Sequence, residues 1–230
     1  VDLLEDVGVG TYKIPSGEVT NIPLLEKVRQ TGKPVLLSSG MSDWAELDAA
    51  VAALKGAPVT ILQCTSAYPC KPKEVGLNVI VEMAARYKIP VGFSDHTMGH
   101  AASFAAAAMG ASVIEKHFTF SRAMYGSDAK HSMEPEEFRI FTQGLHDIWK
   151  MRASPVNKND VAPFVEMKRI FEKSVVLQRN MKKSSQLTLG DLAFKKPGDG
   201  IPAARYGEVL GRVLACDLAA DHKLSWEDLS

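Results

Sequence analysis

The sequence predicts a parallel α/β sheet of five strand and helix units followed by a small β-rich module, and three observations predict it. Short apolar or β-branched runs at 12–16, 35–39, 59–65, 91–94 and 113–117 are each bounded by Gly, Pro or a polar cluster, as strands are. Helical patterns at 22–30, 44–55, 77–87 and 100–109 lie between them, so the runs recur at about 20 to 30 residues, the spacing of a strand plus a crossover helix. After Pro135 the alternation stops: one long helix covers 136–153, and from Ser174 the strands are short, with turn signals at Gly190, Pro197, Gly198 and Gly200.

In the first helix Ile22, Leu25 and Val28 fall on one face, with Glu26, Lys27 and Arg29 elsewhere, the 3.6-residue period of a half-buried helix. Asn21 followed by Pro23, and Ser42 before Asp43, mark helix starts; Gly32, Gly56 and Gly110 mark stops. Phe138, Phe141, Leu145 and Ile148 line one side of the helix at 136–153. Residues 154–173 read as a linker, polar from Ser154 to Asp160, and 174–230 as a module of a size that is marginal alone. Right-handed crossovers put the helices outside the sheet. Five such units suit a doubly wound sheet and the last five units of an eightfold barrel alike.

Among the 230 residues, 27 are Lys or Arg and 27 are Asp or Glu, so no basic excess points to nucleic acid. No run of eighteen apolar residues exists, which argues against a membrane role. Cys64, Cys70 and Cys216 lack CxxC spacing and suit a reducing cytoplasm better than a disulfide scaffold. The chain begins at Val1 in what reads as the end of a helix, with neither initiator Met nor signal peptide, so a longer parent chain is expected.

In a parallel sheet with helical crossovers, the carboxyl ends of the strands share one rim. Here those ends carry Lys13 to Glu18, Ser38 and Ser39, Gln63 to Tyr68, Ser94 to His96, and Glu115 to His117. Lys13 sits inside an otherwise apolar run: facing the interior it needs an anion, and facing outward it needs none. The repeated Ser and Thr either bind phosphate or cap helices. Either histidine alone reads as a core residue. His96 and His117 together, at adjacent strand ends with Asp95 and Glu115 nearby, can share a divalent metal that keeps positions open for substrate oxygens and water. The segment 120–135, which holds Asp128 and His131, is long for a connection of this kind and charged, as loops that cover sites are.

Six motifs in order, Lys-Ile-Pro-Ser-Gly-Glu (13–18), Ser-Ser-Gly-Met (38–41), Gln-Cys-Thr-Ser-Ala-Tyr-Pro (63–69), Gly-Phe-Ser-Asp-His-Thr (92–97), Glu-Lys-His-Phe-Thr (115–119) and Gly-Ser-Asp…His-Ser-Met-Glu-Pro (126–135), resemble the sialic acid synthases. These enzymes condense phosphoenolpyruvate with an N-acylated hexosamine to give a nine-carbon 2-keto acid. The resemblance implies a TIM (β/α)8 barrel, of which residues 1–153 hold the last five or so units, and an antifreeze-like (SAF) domain over 174–230. His96 and His117 would hold Mn2+ or Mg2+. Lys13, Ser16, Ser39, Ser66 and Ser94 would line the phosphoenolpyruvate site, Ser66 standing where some members carry Asn. Glu18, Tyr68 and Asp128 would contact the amino sugar or the water at the metal. The family forms a domain-swapped homodimer whose antifreeze-like module inserts an arginine into the neighbouring site; the matching residue here is Lys196, which keeps the charge and loses the planar fork.

The mechanism implied has the ion polarise the sugar aldehyde, the methylene carbon of phosphoenolpyruvate attack it, and water add at carbon 2 before phosphate leaves. Asp128 or Glu18 would position or deprotonate that water, with Lys13 as the remaining catalytic group. The first three strands of the family barrel have no counterpart in this sequence, and a barrel without them would have open edges and negligible activity alone. N-acetylmannosamine and the precursors of legionaminate and pseudaminate all remain as sugars. A metal-dependent aldolase on the same barrel and a non-catalytic carbohydrate-binding protein are the alternative readings.

Overall fold

Each apolar run pairs with the next one in the chain. The computed structural model describes residues 1–230 as two units, Val1–Pro155 and Val156–Ser230. In the first, α1 (Asp2–Val7) precedes β1 (Tyr12–Ile14), α2 (Ile22–Gln30), β2 (Val35–Ser38), α3 (Trp44–Ala53), β3 (Val59–Cys64), α4 (Leu77–Tyr87), β4 (Val91–Asp95), α5 (Ala101–Met109), β5 (Ile114–Lys116) and α6 (Pro135–Ala153). The five strands form one sheet in the order β1-β2-β3-β4-β5, every pair parallel. A doubly wound sheet reverses its strand order at a switch point; a sheet with every strand beside its sequence neighbour is an arc of a singly wound barrel.

Alternation along the strands then separates two faces. Ile14, Leu37, Ile61 and Val91 share one rung and are buried with Leu25, Val28, Leu47 and Ile80 of the surrounding helices in the main core. On the other face the rungs are Lys13, Leu36 and Thr60, then Ser38, Leu62 and Gly92, then Cys64, Ser94 and Glu115. That face thus turns polar toward the carboxyl ends. Gly92 is required where it stands: a Cβ there would lie 2.2 Å from Leu62 Cδ2 and 2.7 Å from the Val113 carbonyl oxygen. Gly92→Ala is expected to cost about 1–3 kcal/mol through overpacking, read as a lower denaturant midpoint with an unchanged slope.

Local signals set the helix ends. Asn21 Oδ1 accepts from Leu24 N, and Asp43 forms a capping box with Glu46 at the start of α3, so Asp43 rather than Ser42 is the cap. α6 packs on α5 through Phe141, Leu145 and Ala107, and is tied to the chain before β5 by Trp149 Nε1 donating to the Ala111 carbonyl at 2.9 Å.

In the second unit β6 (Ser174–Leu177) and β7 (Leu192–Lys195) form an antiparallel pair over a core of Val175, Leu177, Leu187, Ile201, Val209, Leu214 and Leu224. The stretch 154–173, read as a linker, holds a helix, α7 (Val165–Phe171). Its ion pairs Glu166–Arg169 and Lys168–Glu172 have helical spacing, and Gly198 N donates to the Arg169 carbonyl at 2.7 Å.

Asp191 is the buried acid of this unit. Its carboxylate accepts from Thr188 Oγ1 at 2.6 Å, Thr188 N at 2.9 Å and Arg179 Nε at 2.9 Å. The Thr188 bonds first, and the Arg179 guanidinium after them, hold its pKa below the ordinary 3.8 against the opposing effect of burial. With the folded value depressed, the unfolded chain takes up the proton first. The stabilisation is therefore complete above about pH 3.8 and is lost as pH falls through the folded value. Asp191→Asn is expected to lower the melting temperature of this unit at pH 7 and to flatten its pH dependence below pH 4.

Candidate active site

The inward residues at the strand ends form the wall of one cleft of about 540 Å³. β1 and the turn after it supply Lys13, Ser16 and Gly17; β2 supplies Ser38; β3 and its loop supply Cys64, Ser66 and Tyr68; β4 and its end supply Ser94 and His96; β5 and its end supply Glu115 and His117. Five successive strands thus bring hydroxyls, a cation, a carboxylate and two imidazoles to one place.

Lys13 faces the interior, and its anion is Glu115: Nζ lies 3.1 Å from Oε2, and Ser94 Oγ donates to the same oxygen at 2.6 Å. The pair is about one-third exposed on each side, so it borders solvent and a substrate anion can compete for the ammonium. Ser16 Oγ accepts from Gly40 N at 2.9 Å. Gly40 passes so close that a Cβ would lie 2.4 Å from Ser66 Oγ and 2.8 Å from Ser16 Oγ; only glycine lets both hydroxyls reach the cleft.

The two imidazoles stand 5.2 Å apart, edge to face, and the Tyr68 ring lies 4.2 Å from that of His96 and 5.7 Å from that of His117. His96 Nδ1 faces the Thr65 carbonyl at 2.9 Å, so that nitrogen carries a proton and Nε2 keeps its lone pair. Burial alone would lower His96, but Cys64 Sγ, 3.9 Å from Nδ1, and the Thr65 carbonyl outweigh it and raise its pKa. Burial, and then the charge of His96, lower that of His117. No third His, Cys, Asp or Glu joins them in a group able to hold a metal ion. Two imidazoles with one tautomer set by a carbonyl fit a divalent ion that draws its other ligands from substrate and water.

Asp128 lies beyond His117, with Oδ2 3.9 Å from Nδ1, in an adjoining hollow of about 440 Å³ formed by the loop after β5. Arg122 holds that loop, its backbone N donating to Glu134, its Nε to the Ser132 carbonyl at 3.0 Å, and its Nη2 to Glu137. His131 lines neither space.

Two expected site residues, Ser39 and Glu18, stand off the cleft wall. Ser39 is buried on the opposite side, donating to the Leu62 carbonyl at 2.9 Å, because alternation turns Ser38 inward and Ser39 outward. Ser38 takes its place on the wall, and its buried hydroxyl has no partner. Glu18 accepts from Asn21 Nδ2 at 2.7 Å ahead of α2 and is not on the wall. Lys196 belongs to the second unit, where its ammonium lies 4.8 Å from the centre of the Phe171 ring. Strand phase places both Ser38 and Glu115 on the wall, since each stands two residues from another inward position, Leu36 and His117 respectively.

The geometry agrees with the similarities of the chain. The NeuB family model matches residues 1–157, and the SAF domain model residues 172–230. N,N'-diacetyllegionaminic acid synthase from Campylobacter jejuni is 40% identical over 220 residues, 93% of this chain and 65% of that protein. N-acetylneuraminate-9-phosphate synthase from Homo sapiens is 32% identical over 232 residues, 99% of this chain and 64% of that protein. The solved structure of N-acetylneuraminic acid synthetase from Leptospira borgpetersenii superposes with a TM-score of 0.67 at 32% identity, over 73% of this chain and 60% of that one. The chain spans about two thirds of the length of the relatives it matches. With its five-stranded arc of a TIM barrel and its β-rich C-terminal unit, the chain belongs to the NeuB family and carries a SAF domain.

Proposed function

We propose that this chain carries the sialic acid synthase-type condensation of phosphoenolpyruvate with an N-acylated amino sugar and water, giving a nonulosonate and inorganic phosphate. The observation that supports it best is the convergence of Lys13, four inward serines, Glu115 and the His96–His117 pair on one cleft. His96 and His117 would hold Mn2+ or Mg2+, which when bound supplies Lewis-acid polarisation of the sugar's carbonyl oxygen.

The remaining work falls to the chain itself. The Lys13 ammonium and the hydroxyls of Ser16, Ser38, Ser66 and Ser94 bind the phosphate and carboxylate of phosphoenolpyruvate, so its methylene carbon is presented to the sugar in one orientation. Carbon–carbon bond formation leaves positive charge at carbon 2. Glu115 is the carboxylate on the wall that can take a proton from the water adding there, a better-placed base than Glu18. The carbon 2 to phosphate-oxygen bond then breaks, the new hydroxyl passing its proton to the departing phosphate as the ketone forms. The proton held by Glu115 returns to the former aldehyde oxygen, which becomes a hydroxyl of the product. Asp128, beside His117, and the Tyr68 ring contact the amino sugar. Lys196 of a neighbouring subunit, in a domain-swapped homodimer, is proposed to contact the acyl group as a point charge.

The relatives act in the making of legionaminic, pseudaminic and neuraminic compounds, so N-acetylmannosamine and 2,4-diacylated deoxy sugars are all candidate acceptors. The test is phosphate release from phosphoenolpyruvate with each sugar, with and without a chelator, using the intact gene product. Product formation from pyruvate in place of phosphoenolpyruvate would make the enzyme an aldolase, and turnover that survives chelation would remove the metal from the reading.

A further inference from the structure

Asp95 and Lys116 stand where chemistry was anticipated, each immediately before an imidazole, yet neither puts its charge into the cleft. They are opposite one another on the last rung shared by β4 and β5. Lys116 Nζ lies 2.9 Å from Asp95 Oδ2, and their side chains are 2% and 0% exposed. Asp95 also accepts from Thr97 N at 2.7 Å and from Ser103 Oγ of α5 at 2.5 Å, while Lys116 Nζ donates to the Thr97 carbonyl at 2.5 Å. Although Lys116 borders the cleft, its ammonium is taken up by Asp95 and Thr97. The preceding residues, Ser94 and Glu115, face the cleft and bond to each other.

We propose that the Asp95–Lys116 ion pair is a positioning device that sets the spacing and facing of His96 and His117. The inference rests on the reading of those histidines as metal ligands. Side chains alternate across a strand, so anchoring 95 and 116 on the helix side sends 94 and 115 inward and returns 96 and 117 to the cleft. A one-residue slip of either strand would turn a buried charge into the cleft and an imidazole toward α5, leaving the partner charge unpaired in the core. Stability alone is a poor reason for such a pair, because well-packed apolar residues of the same volume usually do as well or better. What it adds is register: one contact ties both strand ends, the loop at Thr97 and α5 to a single arrangement.

The test uses Mn2+ binding to the intact gene product, read from the loss of the free-ion electron paramagnetic resonance signal. Asp95→Asn/Lys116→Met removes both charges and nearly conserves volume; it is expected to weaken Mn2+ about 10- to 100-fold, the usual effect of losing support behind metal ligands. Leu25→Ala, on the buried face of α2, serves as a control that lowers the melting temperature and leaves Mn2+ affinity as in the wild type. Ser103→Ala, which removes only the α5 bond to Asp95, is expected to weaken Mn2+ several-fold and provides the readout if the double variant does not fold. Wild-type affinity in the folded double variant or in Ser103→Ala overturns the proposal, as does an equal loss in Leu25→Ala. Undiminished binding in His96→Ala/His117→Ala instead removes the metal-ligand reading, and the positioning role with it.

Discussion

Replacing His96 or His117 with alanine is expected to lower turnover of phosphoenolpyruvate by about 10³-fold. Lewis-acid polarisation of a carbonyl is worth several kcal/mol, and each 1.36 kcal/mol is about tenfold in rate. The effect should be so large because the two rings are the only pair of imidazoles on the cleft wall, and no third donor stands ready to take the place of either. The loss should appear with Mn2+ binding, titrated on the same preparation, and excess metal should restore part of it. A variant that keeps its turnover while losing Mn2+ would separate the histidines from metal-assisted chemistry. Both rings are partly exposed at the cleft and lie outside the buried clusters, so the melting temperature should change little.

Lys13→Met should act differently. Its ammonium, paired with Glu115 at the solvent border of the cleft, is the cation on the wall for which a substrate anion can compete, whereas that of Lys116 is buried against Asp95. Charge-assisted hydrogen bonds contribute about 1.5–3 kcal/mol, which corresponds to a fall of about 10- to 150-fold in kcat/KM for phosphoenolpyruvate. Because the contact is made with the bound substrate as well as in the transition state, most of the loss should fall on KM. The substitution also strips Glu115 of its counter-charge, leaving the carboxylate with Ser94 alone. Glu115→Gln should show the complementary split, with KM for phosphoenolpyruvate kept or lowered and kcat reduced. Steady-state kinetics with the sugar saturating distinguish the two; an unchanged KM in Lys13→Met would take Lys13 out of the anion site.

Much of this architecture was legible in the sequence because it rests on local regularities. The five apolar runs and the helical faces between them coincide with β1 to β5 and α2 to α5 to within one or two residues. Where the runs were read one residue too long, as at Ser39 and Thr65, the extra residue is the one that leaves the hydrogen-bonded ladder for the rim. The choice between a doubly wound sheet and a barrel was not local, since both use the same strand and helix units, and only the pairing of each strand with its sequence neighbour decides it. The helix at Val165–Phe171 is not legible as one because it is only seven residues long, about two turns, too short for its apolar residues Val165, Met167, Ile170 and Phe171 to establish a helical period.

By itself the sequence determined the residue types gathered at the strand ends and the order of the motifs that carry them, and with these the family. Tertiary structure decided which of those residues face one another. Whether Ser38 or Ser39 enters the cleft depends on the phase of β2 at its last rung; whether Lys13 is matched by Glu115, and Lys116 by Asp95, depends on registers between strands that are distant in the chain. Strand phase has a period of two, so a shift of one residue exchanges the wall of the site for the core. That phase is set by the burial of the whole sheet against its helices, a property no single motif contains.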